Sequence, residues 1–350
     1  MMANTSGYLF ETKSPDELTD GDIAAWDLLL DASKDHDSAF YSSAWARACA
    51  AAGFDVRVTL ARGEGGELVG AFAFQKCSGI AGLIGLGERP GGAMSDYFAP
   101  IIAQPDTAKL SPQDMFGASG LSRIDLSHVP ARATGRGEDL IADESGPVTR
   151  MGDGFETWWE RFGEEKKSRA TDLGRRTRKI EREYGDLRLV LDAVKTADLL
   201  DSVIDEKRRQ YSARGASDVF DIAANRALLH ALLQEDDPRC QLVISTLHAG
   251  ETWAASHIGL RCHSVLHYWF PVYNEDLKRS SPGRLLILEM LRAMPDAGLD
   301  LLDYGLGEGR TKLEFSNGLR PFVKGSWRTP GPRGLAAQGF QSVKWRLGKA

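Results

Sequence analysis

Lys278-Arg279-Ser280-Ser281-Pro282-Gly283-Arg284-Leu285-Leu286-Ile287-Leu288 is the stretch that decides the fold. Ser281 suits a helix N-cap and Pro282 the first helical position. The apolar run that follows, through Met290 and Leu291, leaves almost no polar face, so the helix is expected to be buried on most sides. Three strands precede it, over 242–247, 252–261 and 265–272, with turns at Ala249-Gly250 and Cys262-His263-Ser264. A further strand over 299–304 follows it and runs into Gly305, Gly307 and Gly309. A helix that opens beside a sheet offers free N–H groups and a positive dipole end to an anion. Ser280, Ser281, Pro282, Gly283, Arg284 and Leu285 are therefore candidate phosphate-binding residues, with Gly283 permitting close approach. The plain alternative is capping of a core helix.

The glycine-rich end of the 299–304 strand is the second candidate. Asp303, Glu308 and Lys312 gather there, at the end where open α/β sheets bind ligands, and are candidate catalytic residues. A solvated surface loop is the alternative. The spacing of Gly305 and Gly307 is not a dinucleotide fingerprint, because no helix-opening third glycine follows at the required distance. His257, His263 and His267 have no matching Cys or acidic ligand, so no metal is expected; His257 is a candidate general base, or a satisfied strand histidine. Tyr268 and Tyr273 are candidates to protonate a leaving thiolate, or strand-packing aromatics.

Outward from this core, 350 residues suggest two domains, and 42% hydrophobic with 26% charged residues suffices for two cores. The net charge of −6 argues against a dedicated nucleic-acid binder. Cys49, Cys77, Cys240 and Cys262 form no paired motif and read as reduced thiols. Residues 1–10 carry no signal-peptide pattern, and no apolar run approaches the ~18 residues of a membrane span, so a cytoplasmic location is expected.

The first half reads as helices within 15–52, strands over 56–61 and 68–74 around a Gly63–Gly66 turn, strands over 83–86 and 97–102, a short helix at 111–116 and a strand at 123–126. Residues 130–146 read as a loop. The second half reads as helices over 155–162, 166–184 (interrupted near Gly174), 197–214 and 225–234, with a strand at 187–191. Gly66-Glu67-Leu68-Val69-Gly70-Ala71 weakly echoes Gly250-Glu251-Thr252-Trp253-Ala254-Ala255. Two related lobes, or one mixed domain with a helical insert, both fit. Arg175, Arg178, Lys179 and Arg182 share one face of the 166–184 helix and would either contact a phosphorylated acceptor or form a solvated face paired with Glu181 and Glu183. Pro330 and Pro332 separate a tail whose helix, 335–347, would touch a membrane surface or pack on the body of the protein.

The C-terminal half resembles the acetyltransferase domain of the CelD/BcsL type, a branch of the GNAT superfamily related to the Fem peptidyltransferases. The resemblance rests on Arg175-Arg176-Thr177-Arg178-Lys179-Ile180-Glu181, on His267-Tyr268-Trp269 with Tyr273-Asn274, on Ser281-Pro282-Gly283 with Leu285-Leu286, and on Asp303-Tyr304-Gly305 with Gly307, Lys312 and Phe315. It extends loosely to Phe40-Tyr41, Trp45 and Asp96-Tyr97. It implies an α/β fold (a mixed α+β sheet) of two tandem GNAT-like lobes, divided as 1–150, 151–328 and a tail 329–350. It further implies a cytoplasmic N-acetyltransferase that uses acetyl-CoA and no metal. The pyrophosphate would lie on Ser281–Leu286 and the thioester along 254–259. The acceptor would be a phosphorylated or lipid-linked amino sugar of exopolysaccharide or envelope glycan synthesis, contacted by Arg175, Arg178, Lys179, Asp96 and Tyr97. DNA and tRNA are not expected partners. The alternatives are a Fem-like transferase that uses aminoacyl-tRNA, and a non-catalytic module that binds a glycan precursor.

Overall fold

The computed structural model describes residues 3–5, 7–103, 109–130, 140–305 and 307–347. The chain forms two compact units: Met1–Glu144 with Pro321–Ala350, and Ser145–Arg320. The sequence reading set the corresponding boundaries at 150/151 and 328/329.

The first unit contains β1 (Ala3–Thr5), β2 (Tyr8–Lys13), α1 (Asp20–Ala32), α2 (Ser43–Ala51), β3 (Val56–Arg62), β4 (Leu68–Lys76), α3 (Gly79–Leu83), β5 (Leu86–Glu88), β6 (Ile101–Ile102), α4 (Pro112–Ala118) and β7 (Arg123–Pro130). Polar caps start its helices. Thr19 and Asp22 exchange reciprocal bonds at α1, and Ser42 accepts the Trp45 N–H at α2. Strands follow the order β1-β2-β3-β4-β5-β7, with β5 and β7 parallel and β6 on β4. Trp26, Trp45, Phe72 and Phe74 fill the core.

The second unit is entered through β8 (Leu140–Arg150). It contains α5 (Gly154–Glu165), α6 (Lys167–Tyr184), β9 (Leu187–Val190), α7 (Ala197–Ala213), α8 (Ala223–Leu232), β10 (Gln241–Ala249), β11 (Thr252–Cys262), β12 (Val265–Tyr273), α9 (Pro282–Ala293), β13 (Leu301–Asp303) and α10 (Arg310–Phe315). Its strand order is β8-β13-β12-β11-β10-β9, antiparallel except for β12 with β13, which the α9 crossover connects. Leu285, Leu286, Met290 and Leu291 of α9 are fully buried beside Leu173 and Ile180 of α6. Each such side chain contributes on the order of 1.5–3 kcal/mol. β14 (Gly318–Arg328) then returns the chain to the first unit, pairing with β7 from Phe322 to Arg328, and α11 (Pro332–Leu347) follows. Ala337 is buried and Gln341 donates to Asp125 of β7 at 2.8 Å, so α11 packs on this unit; its side chains from 343 on lie outside the described residues.

Several expectations change. Residues 79–83 are helical, and the strand there begins at Leu86. The 97–102 strand shrinks to Ile101–Ile102. The 130–146 loop gives way to β8 from Leu140; residues 131–139 lie outside the described set. α6 runs unbroken through Gly174, because Asp172 spans that turn with ion pairs to Arg175 and Arg176. β14 went unrecognised because Pro321 and Gly325 mimic a loop; a register shift between Val323 and Gly325 accommodates the irregularity.

Candidate active site

The site begins where two strands part. β12 and β13 pair in parallel over three positions, Val265 with Leu301, Leu266 with Leu302 and His267 with Asp303. β13 then ends. The Tyr304 N–H turns to the Pro147 carbonyl at 3.1 Å, and Gly305 adopts φ +64°, a left-handed turn that favours glycine. From Tyr268 onward β12 has lost that neighbour, and its edge faces a cleft.

The other side of β12 carries a bulge. Ile258 faces Phe270 but Gly259 faces Tyr268, which leaves Trp269 as the extra residue. His257 holds it. Its Nε2 accepts the Trp269 N–H at 3.2 Å, and its ring lies flat on Tyr268 at 4.7 Å. Its Nδ1 lies 3.5 Å from Ser245 Oγ, which donates to the Leu191 carbonyl at 2.6 Å. Only glycine fits at 259: a Cβ there would lie 2.3 Å from His257 Cε1 and 2.6 Å from the His267 carbonyl. Burial pushes the His257 imidazole down to about 3, so it stays neutral, as its acceptor role requires.

The cleft has a volume of about 520 Å³ and lies within the second unit. Its walls are Lys207, Gln210 and Arg214 of α7, Tyr268, Pro271 and Tyr273 of β12, Lys278, the α9 opening from Ser281 to Arg284 with Ile287, and Gly309 to Lys312. Six of these residues are cationic and none is acidic. Arg284 is neutralised from outside, by Asp172 at 2.8 Å and by Glu314. Hydrogen bonds from Arg176, Arg284 and Arg175 hold the Asp172 carboxyl far below the usual range. Arg214 donates to the Tyr273 hydroxyl at 3.0 Å. Ser281 sits in the left-handed region at φ 54°, and its side chain makes no capping bond. It thus orders the α9 opening through its backbone, contrary to the side-chain cap expected. Tyr268 is 8% exposed, and its hydroxyl has no hydrogen-bond partner among the described residues. Burial pushes that hydroxyl's pKa up, so it keeps its proton at neutral pH.

Of the candidates named from sequence, the cleft wall gathers Tyr268, Tyr273, Ser281, Pro282, Gly283, Arg284 and Lys312. The others fall elsewhere. Asp303 is fully buried and occupied: Oδ2 accepts from Arg320 at 2.6 Å, and Oδ1 accepts the Gly305 N–H at 2.8 Å. It anchors the turn after β13 and is in no position to take a proton from a substrate. His257 is sealed inside the sheet. Glu308 accepts from Ser145 and is off the wall. Ser280 and Leu285 are buried behind the α9 opening. Arg175 is paired with Asp172 at 2.8 Å, and neither it nor Arg178 nor Lys179 lines the cleft. Asp96 and Tyr97 belong to the first unit, where Tyr97 is 1% exposed and stacks on Phe322 at 4.9 Å as a core aromatic. Residues 254–259 run between β10 and β12 with both edges paired, so the open backbone lies on β12 instead. Sequence reasoning missed Lys207, Gln210, Arg214 and Arg310. The first three recur at i, i+3 and i+7, which places them on one face of α7. Among the described residues no His/Cys/Asp/Glu group is arranged to hold a metal, and no helix is long and apolar enough to cross a membrane.

Residues 167–313, all within the second unit, match the family described as acetyltransferase (GNAT) domain. No curated protein matches the sequence. Among solved structures, FemX superimposes with a TM-score of 0.61 at 10% identity, over 91% of this chain and 97% of that one. The C-terminal DUF2156 domain of a protein assigned as a lysylphosphatidylglycerol synthetase, from Agrobacterium fabrum, gives 0.54 at 12% identity over 90% and 94%. A tandem GNAT protein from the clavulanic acid biosynthesis pathway gives 0.50 at 10% identity over 93% and 100%. At these identities the likeness is one of fold. The chain is a mixed α/β protein of two GNAT-like lobes, and the matched GNAT segment carries the cleft.

Proposed function

We propose that the chain is an N-acyltransferase that moves an acetyl group from acetyl-CoA to the amine of an amino sugar. The observation that carries this reading is the cationic cleft at the open edge of β12, which has no acidic wall residue among the described residues, with the Tyr268 hydroxyl, unpartnered among those residues, on its wall. A phosphorylated donor fits such a wall, because the α9 opening with Lys278 and Arg310 supplies backbone N–H groups and two cations without carboxylate partners among the described residues. The acyl arm would extend along β12 beyond His267, whose backbone β13 no longer covers. Attack by the acceptor amine forms a tetrahedral oxyanion that backbone N–H groups stabilise. As the C–S bond breaks, Tyr268 gives its proton to the thiolate. The amino-sugar acceptor follows from the resemblance to the CelD/BcsL type.

Calorimetry tests the donor. Micromolar binding of acetyl-CoA is expected, and Gly283→Trp should abolish it in a folded protein, because Tyr273 already lies 3.7 Å from where a Cβ would be. Retained affinity in that variant would sink the placement.

A second donor is favoured by one observation: Arg169, Arg175, Arg178 and Arg182 are exposed along α6. An aminoacyl-tRNA would be attracted there. Charge reversal at Arg175, Arg178 and Lys179 would then abolish donor binding, and wild-type affinity would fall steeply with salt. With acetyl-CoA as donor, the same changes leave donor affinity within about threefold. If neither donor binds, the chain is a glycan-precursor binding module.

A further inference from the structure

An amine reaches an enzyme as an ammonium ion and must lose a proton before it can attack a carbonyl. The cleft walls carry no Asp, Glu or His among the described residues. Asp303, His257 and Glu308 are buried or engaged elsewhere. The proton therefore has to go to a different kind of group.

Lys207 is placed for it. It reaches from α7 to the uncovered stretch of β12, where Nζ donates to the Pro271 carbonyl at 2.9 Å, beside the Tyr211 ring at 5.1 Å. Its surroundings disfavour a positive charge. Arg214 lies on the same helix face; Lys278, Arg310 and Lys312 line the same cleft. Tyr268 on β12 and His257 on β11 are neutral neighbours, and the Tyr273 hydroxyl accepts from Arg214. The nearest carboxylate in sequence, Glu206, is bound to Arg209 and Gln210. No ion pair to Lys207 exists among the described residues. As an ammonium ion Lys207 would leave donors unsatisfied in a partly buried site; as a free amine it keeps the Pro271 bond and retains a lone pair. Burial and Arg214 together bring its pKa down to about 8.

Resting on the acyltransferase reading, we propose that Lys207 is the general base of the reaction. Its uncharged Nζ takes one proton from the acceptor ammonium, and the freed amine forms the C–N bond while the C–S bond breaks. The thiolate takes the Tyr268 proton, the Tyr268 oxygen recovers the second proton from the amide nitrogen, and Lys207 releases its own to solvent. The sum is ammonium plus thioester giving amide, thiol and one proton.

Competitive labelling decides the matter without a known acceptor. The protein is treated with trace acetic anhydride at pH 6 to 11, with and without saturating CoA, and each lysine is quantified by mass spectrometry. Lys207 should show an inflection near pH 8 and at least tenfold protection by CoA. An inflection of Lys207 above pH 10 overturns the proposal. So does an unprotected Lys207 in a protein that calorimetry shows to bind CoA. Absence of CoA binding in calorimetry fails the acyl-CoA reading itself, a separate result. With glucosamine and acetyl-CoA as probes, Lys207→Arg should lose about 10²–10⁴ in kcat with acetyl-CoA affinity kept within threefold. An active Lys207→Arg enzyme would make Lys207 a mere charge and overturn its role as base.

Discussion

At the scale of single residues, burial separates the polar groups that hold the fold from those that face the cleft. Asp303 looked catalytic because it stands at a strand end before glycines, yet Arg320 and the Gly305 N–H consume its oxygens. Lys207 drew no notice in the sequence, where it stands between Glu206 and Arg208 in a charge-rich helix. Which face of α7 covers a cleft is a tertiary fact, and periodicity marks only that such a face exists. The cost of placing Lys207 there is measurable. Its pKa is lowered in the folded protein, so the unfolded chain binds more protons between about pH 8 and the unfolded lysine value. Stability should therefore rise with pH across that window, and the penalty is complete below it. Lys207→Met is expected to raise Tm at pH 7, with the gain shrinking above pH 8 and gone near pH 10.5. An equal gain at every pH would show that the effect is apolar packing rather than relief of a buried charge.

Secondary-structure elements were legible where one face is continuously apolar. The β10 to β12 meander, α9 and the basic face of α6 were all visible, because burial on one or both faces writes itself into period 2 or period 3.6. β14 was not, since proline and glycine in an irregular strand resemble a loop. The bulge in β12 was equally hidden, although its requirements are local: an acceptor at 257, no Cβ at 259 and an extra residue at 269. This element makes its own prediction. His257→Leu strands the Trp269 N–H inside the sheet and should cost about 1–3 kcal/mol in urea denaturation. Exchange of that amide should quicken by at least tenfold. His257→Gln, which keeps an acceptor, should recover most of both. Gly259→Ala should be worse than His257→Leu, because the clash is with backbone as well as ring. Equal exchange rates in the Leu and Gln variants would show that His257 is packing alone.

In the whole molecule, the two units differ in how the chain builds them. Ser145–Arg320 is continuous, whereas the first unit takes Met1–Glu144 and then Pro321–Ala350. β14 is the strand that covers β7, and Trp327 and Phe322 bring their rings to Phe72, Phe116 and Tyr97. During synthesis the first unit therefore waits. When residue 144 emerges from the ribosome, β7 still has an open edge and its aromatic core lacks two rings. The continuous unit can close first, at some 5–20 residues per second, while the segment ahead of it lacks β14 until residue 328 is free. The polypeptide is thus finished in the reverse of its reading order, with the lobe that begins the chain completed last.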